Sequence, residues 1–284
     1  MREIVVVSGK GGTGKTSLAA AFAQLAGQPV ALGDCDVDAA NLGLLLPGDD
    51  VRAEPFFAGQ RARVDADLCT GCGECEEVCR YDAIPVSDEL ARVDMLLCEG
   101  CRACEVVCPE GAIDFTENQA GMLLWRETAV GPLVHGALGI AQDNSGKLVA
   151  KVRVETRKVA EERGIDLVLL DGPPGISCPV HAAIGNVDLV VAVTEPSPSG
   201  AHDLNRLLEL TRHFKLQTVV IVNKYDLNPA LTTEIEDVSR QYGAEPVGRV
   251  PFDEDVPRAL KRHETPLVIP ALAEVLADVW ETIK

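Results

Sequence analysis

The chain predicts an α/β fold, a mostly parallel sheet flanked by helices and interrupted by a small cysteine-rich α+β insert. Three observations carry this. Apolar, β-branched runs alternate with helical patterns toward both ends of the 284-residue chain, the order that builds parallel βαβ layers. A glycine-rich turn joins the first strand to the first helix. Eight of the ten cysteines fall in one stretch, in two copies of a single spacing.

Residues 3–8 read as a fully buried strand and 15–26 as an Ala-rich helix. "PVALGD" (29–34) is a second strand ending in acid. "NLGLLLPGDD" leads into a loop and then into the insert, which runs from about Arg61 to about Glu117. The expected domains are therefore 1–60 and 118–284 for the sheet and 61–117 for the insert. Beyond it, "GMLLWRETAV" and "LVHGALGIA" read as strands joined at Gly131 and Pro132. "GKLVAKVRVETRKVAEERG" reads as a helix with apolar Leu148, Val149, Val152 and Val159 and a stop at Gly164. "DLVLLDGPPG" is a buried strand entering a tight loop. "DLVVAVTEP", "LQTVVIVNKYD" and "AEPVGRVPFD" are three further strands, with helices at 199–214, 228–242, 254–263 and 271–283.

Composition narrows the function classes. Aromatics are only 4%, so Val, Leu, Ile and Ala must build the core. The formal net charge of −18 argues against nonspecific binding to nucleic acid or to an anionic membrane, both of which need clustered Lys and Arg. No apolar run approaches a bilayer span, and "IVVVS" is too short for a signal-peptide core, so a cytoplasmic protein is expected. Ten cysteines in that compartment point to metal or redox chemistry before disulfides.

"GKGGTGKT" (Gly9–Thr16) fits G-x-x-x-x-G-K-S/T between a strand and a helix, the P-loop context of a nucleotide triphosphatase. Gly9, Gly11, Gly12, Thr13 and Gly14 let backbone N–H groups close around phosphate, and Ser17 follows in the first helical turn. Lys15 brings charge to the β/γ phosphates and Thr16 a hydroxyl to Mg²⁺. Asp171 ends a buried apolar strand, the placement of a Mg²⁺-side carboxylate. Asp34, Asp36 and Asp38 compete for a second acidic role. "VNKYD" (222–226) fits the guanine-reading N-K-x-D, leaving ATP and GTP both open. Pro251 and Phe252 are placed to pack on the base.

The cysteines form C-x₂-C-x₂-C-x₃-C twice, the second copy 29 residues after the first. This is the bacterial ferredoxin spacing, in which the fourth cysteine serves the other cluster. One 4Fe–4S cluster would take Cys69, Cys72, Cys75 and Cys108, and the other Cys98, Cys101, Cys104 and Cys79. Zinc is the rival metal. Pro109 follows Cys108 as usual, but Arg80 stands after Cys79.

Taken together, "KGGTGKTS", "DCDVDAANL", the eight cysteines, "DGPPGISCP", "VTEPSPSGAHDL" and "VNKYDLN" resemble the MinD/Mrp branch of the deviant-Walker-A ATPases with an inserted two-cluster ferredoxin. The resemblance implies a slow, partner-stimulated, Mg²⁺-dependent ATPase that forms an ATP-dependent homodimer. It implies that Lys10 reaches the partner's phosphates, that Asp36 orients the attacking water, and that Asn223 contacts adenine. The nitrogenase iron protein carries a cluster cysteine at the offset of Cys178 from Asp171, which makes Cys178 a candidate dimer-interface thiol; a buried small side chain is the alternative. Cys35 reads as a buried small residue. Three functions are open: an ATP-gated electron carrier serving a redox partner, an iron–sulfur assembly ATPase serving client proteins, and a MinD/ParA-like positioning ATPase. Mrp-type scaffolds carry a late C-x-x-C pair, and here no cysteine follows Cys178.

Overall fold

The computed structural model of the chain describes residues 1–140, 142 and 145–284. It divides into two compact units, one of Met1–Ala53, Leu123–Ala137 and Ser145–Lys284, the other of Glu54–Met122 and Leu138–Asn144.

In the first unit the apolar runs form the centre of a sheet. Strand β1 (Arg2–Ser8) is buried from Glu3 onward and opens through a glycine-rich turn into helix α1 (Lys15–Leu25). Then come β2 (Ala31–Asp34), the single-turn α2 (Leu42–Leu45), and the long strands β3 (Gly48–Val64) and β6 (Ile113–Thr128), each of which belongs in part to both units. The chain continues through β7 (Gly131–Leu138), α5 (Ser145–Arg163), β8 (Leu167–Pro174), α6 (Cys178–Ile184), β9 (Leu189–Thr194), α7 (Pro198–His213) and β10 (Thr218–Asn223). It ends with α8 (Pro229–Gln241), β11 (Glu245–Val250), α9 (Val256–Lys261) and α10 (Pro270–Ile283).

The sheet order is β11-β10-β9-β1-β8-β2-β7-β6-β3. The neighbours from β11 to β7 run parallel. β6 and β7 are adjacent yet joined by only Ala129 and Val130, so they pair antiparallel. The sheet is therefore mixed. The connection leaving β1 runs past β8 to β2 and the one leaving β9 runs the other way to β10, so the order reverses between these adjacent strands, and their carboxyl ends form the crevice where such sheets bind ligands.

One expectation fails. Where "NLGLLLPGDD" is expected to lead into a loop, Gly48–Val64 is instead a 17-residue strand. Its charges and Pro55 hide the pattern. The strand is the last in the sheet, and an edge strand tolerates both, since one side needs no ladder partner.

Phe22 of α1 stacks on Trp280 of α10 with centroids 5.5 Å apart, closing one face of the sheet. On the other face Arg153 of α5 holds the buried Glu3 at 2.6 Å, and Arg157 joins the same carboxylate. Removing one partner of such a buried pair typically costs about 3–5 kcal/mol. Among the described residues no helix is long and apolar enough to cross a membrane.

The second unit contains α3 (Glu74–Val78), the two-residue strands β4 (Val86–Ser87) and β5 (Leu90–Ala91), and α4 (Ala103–Val107). Its core combines Ala62, Ala83, Ile84 and Ile113 with Cys75, Cys98 and Cys104. The 29-residue repeat is visible in the backbone. Asp65 N donates to Ala112 O at 2.8 Å, and Asp94 N to Ala83 O at 2.7 Å. Cys69 N and Cys98 N each donate, at 3.0 Å, to the carbonyl of the aspartate four residues earlier.

Candidate functional site

The turn after β1 takes its shape from glycine. Gly12 and Gly14 have φ of +81° and +91°, a region that side chains resist. A Cβ on Gly9 would stand 2.5 Å from the Asp203 backbone. No side chain caps α1, so its first N–H groups remain free to meet an anion.

Lys15 begins that helix and is buried against acid. Its Nζ lies 2.8 Å from Asp171 Oδ1, 3.4 Å from Asp36 Oδ2 and 3.3 Å from Thr16 Oγ1. Burial alone would lower the Lys15 pKa; the charges of Asp171, Asp36 and Asp34 outweigh it and raise it. Asp34 is fully buried beside Asp171 in the β2–β8 register. Burial, reinforced by the Asp171 charge, pushes its carboxyl up to about 8. Its oxygens accept from Leu42 N at 2.9 Å and Asp36 N at 3.2 Å, which staples the loop that carries Asp36. Burial also raises the Asp36 pKa, with Lys15 opposing. Two buried atoms here have no hydrogen-bond partner among the described residues, Asp171 Oδ2 and Thr13 Oγ1. An orphaned, buried carboxylate oxygen such as that of Asp171 suits a hard, oxygen-loving cation.

Across the loop, Lys10 is held within its own chain. Its Nζ lies 2.7 Å from Glu195 Oε1 and 3.0 Å from both Ser197 Oγ and Ser199 Oγ, so all three ammonium protons have acceptors. Glu195 Oε2 takes Lys224 Nζ at 2.8 Å, and Lys224 also donates to Gly12 O at 3.3 Å. Sequence reading passed over Glu195, although an acid just past the end of a buried strand was the signal that picked out Asp171.

A cavity of about 240 Å³ opens beside Gly12 and Gly14, walled by Leu18, Pro251, Phe252 and Leu260. Asn223 lies on its rim, but its amide is engaged: Nδ2 donates to Thr13 O at 2.8 Å and Oδ1 accepts from Lys224 N at 3.0 Å. Asp226 accepts from Phe252 N at 2.7 Å. The N-K-x-D residues thus brace the loops around the cavity. The cavity's size and apolar walls suit a planar base.

The family model for the CobQ/CobB/MinD/ParA nucleotide binding domain matches residues 4–267. The chain belongs to the MinD/ParA family of P-loop ATPases. It is 34% identical over 268 residues to an uncharacterized protein, MJ0578, of Methanocaldococcus jannaschii, covering 91% of this chain and 87% of that one. A second uncharacterized protein of that organism, MJ0579, is 28% identical over 80% of this chain and 82% of its own length. Among solved structures, the MinD cell division protein of Aquifex aeolicus has a TM-score of 0.58 at 19% identity, covering 100% of this chain and 96% of that one. Apo McdA of Cyanothece also has a TM-score of 0.58, at 17% identity, with both chains fully covered. These two likenesses establish the fold.

The second unit holds eight of the ten cysteines. One of its pockets is lined by Cys69, Cys72, Cys75 and Cys108. A second is lined by Cys98, Cys101, Cys104 and Cys79. Backbone N–H groups reach the fourth sulfur of each set alike: Ala112 N to Cys108 Sγ at 3.3 Å and Ala83 N to Cys79 Sγ at 3.4 Å. Cys79 and Cys108 share one backbone conformation, φ −75° and −70° with ψ 111° and 112°, so Arg80 in place of proline leaves the turn unaltered. Among the described residues no three His, Cys, Asp or Glu side chains converge on the position of a single metal ion.

Cys178 begins α6 and is exposed, with its Cβ near Gly146. The buried alternative for it therefore does not hold. Cys35 is fully buried, and burial raises its thiol pKa, so it stays protonated and inert.

Proposed function

We propose that this MinD/ParA-type ATPase is an iron–sulfur protein in which nucleotide binding closes a homodimer and two 4Fe–4S clusters pass electrons to a redox partner. The observation that supports this best is the pair of four-cysteine pockets, alike in backbone and in sulfur hydrogen bonds, within a P-loop ATPase. The donor set fits the group. It is all thiol, and Gly71, Gly73 and Gly100 give the loops between the cysteines their left-handed turns. Thiolates around one zinc ion crowd a single centre at about 2.3 Å. A four-iron cube takes four thiolates at separate corners, and each pocket is lined by four cysteines.

When bound, the clusters supply one-electron transfer, and Mg-ATP supplies the phosphoryl group that is hydrolysed. Lys15 and the uncapped start of α1 hold the phosphate charge. Thr16 and the orphaned oxygen of Asp171 hold the magnesium ion. Asp36 orients water, in the loop stapled by Asp34. Lys10 leaves Glu195 to reach the phosphates of a second copy. Pro251 and Phe252 bound the base while Asn223 braces the loop beneath it.

A second reading is a positioning ATPase whose cysteine unit is structural or sensing. Its support is the likeness to MinD and McdA along the whole chain. Cluster delivery to clients has less support, since no cysteine follows Cys178. Anaerobic reconstitution of the full chain with iron and sulfide is the test. The electron-carrier reading expects about eight irons per chain, and about four in Cys75→Ser. Zinc in place of iron, or no iron, would overturn it.

A further inference from the structure

The two cysteine pockets are alike in backbone but not in charge. The wall of the first includes Thr70, Glu74 and Glu110, with no cation. The wall of the second includes Tyr81, Glu99 and Arg102. Under the 29-residue repeat Thr70 answers to Glu99, Glu110 to Tyr81, Glu74 to Ala103, and Gly73 to Arg102. One wall therefore carries two carboxylates, and the other one carboxylate and one guanidinium.

Arg102 occupies a position that favours glycine. Gly73, just before α3, has φ +84°, and Arg102, just before α4, has φ +65°. Glycine adopts this left-handed conformation freely, whereas arginine is strained in it. The arginine is also fixed in place. Its Nη2 donates to Gln60 Oε1 at 2.6 Å, its Nη1 donates to Glu105 Oε2 at 2.8 Å, and its guanidinium lies 4.8 Å from the centroid of the Phe115 ring. Glu105 does not cancel the asymmetry, because the first repeat has Glu76 at the same place. A strained, three-way-anchored cation on one of two pockets with a shared backbone has no counterpart in the other.

Resting on the iron–sulfur reading above, we propose that Arg102 makes the two sites inequivalent, so that the site of Cys98, Cys101, Cys104 and Cys79 has the higher reduction potential and receives the first electron. Reduction adds one negative charge per cluster and breaks no bond. A fixed guanidinium stabilises that added charge, and carboxylates oppose it, because cluster potentials follow local charge and hydrogen bonding. Electrons entering at the first site then run downhill to the second. Arg102 is a tuning residue and ligates nothing.

The test is an anaerobic redox titration of the reconstituted full chain with dithionite, followed by electron paramagnetic resonance, beside an iron count. The parent should show two separated one-electron steps. Arg102→Gly, which also relieves the backbone strain, should lower the upper step, leave the lower step in place and retain the iron. Glu110→Gln should raise the lower step. A parent that takes up no iron overturns the cluster reading and this assignment with it. A parent with both clusters overturns the assignment alone if Arg102→Gly retains the iron and leaves the upper step unmoved, or shifts the lower one instead.

Discussion

Lys10 Nζ lies 2.7 Å from Glu195 Oε1, an ion pair that ties the phosphate loop to the end of β9 within one chain. Burial would raise the Glu195 pKa, but Lys10 and Lys224 together hold it below the usual carboxylate range, so the acid is charged at neutral pH. A lysine whose three donors are satisfied at home must give up those bonds to serve a second copy.

Glu195→Gln should therefore ease dimerisation. The pair is partly exposed, with side-chain exposures of 26% and 19%, so its net worth is modest, roughly 1 kcal/mol after screening. Each dimer frees two such lysines, so sedimentation with a nonhydrolysable ATP analogue should show half-dimerisation at roughly thirtyfold lower protein concentration than in the parent. An unchanged midpoint means that the contact does not restrain Lys10.

Lys15→Ala should destabilise the nucleotide-free chain as well as weaken nucleotide binding. It leaves the buried Asp171 without its ion-pair partner, a loss of about 3 kcal/mol. The loss should shrink in acid, where Asp36, raised by burial and freed of Lys15, takes up a proton. Urea unfolding at pH 8 and pH 5 checks both statements, and equal losses at the two pH values would count against the buried-charge account.

Asp34 gives a pH signature. Its pKa in the folded chain is raised to about 8 from an ordinary 3.8, so the folded state holds a proton that the unfolded state has released. Its stabilising contribution is complete below about pH 4 and is lost as pH rises through about 8. The stability of the parent minus that of Asp34→Asn should fall across this window, by up to about 1.4 kcal/mol per pH unit. A difference that is flat with pH would show that Asp34 is ionised throughout.

Much of the fold was legible because its signals are local. The alternation of buried runs such as "IVVVS" and "LVLLD" with helical patterns marks the parallel strands, and the glycines at 12 and 14 mark the phosphate turn. β3 was not legible. An edge strand with Asp49, Asp50, Arg52 and Pro55 lacks the pattern of a buried one. In the site, the three acids at 34, 36 and 38 looked alike. The β2–β8 register separates them, by setting Asp34 beside Asp171 in the interior and leaving Asp36 at the edge of Lys15. The home partners of Lys10 lie far along the chain, where only the fold could bring them close. The engagement of the Asn223 amide is a long-range fact of the same kind, because Thr13 O is its partner.

The proposed function couples nucleotide state to cluster chemistry in one chain. It is tested most directly by an anaerobic redox titration of the iron-loaded protein with and without a nonhydrolysable ATP analogue, repeated on Lys10→Ala. Expected are about eight irons per chain, a shift in at least one reduction step when the analogue is added to the parent, and no shift in Lys10→Ala, which should bind nucleotide without completing the dimer. Iron-loaded parent protein whose two steps are the same with and without the analogue would contradict it.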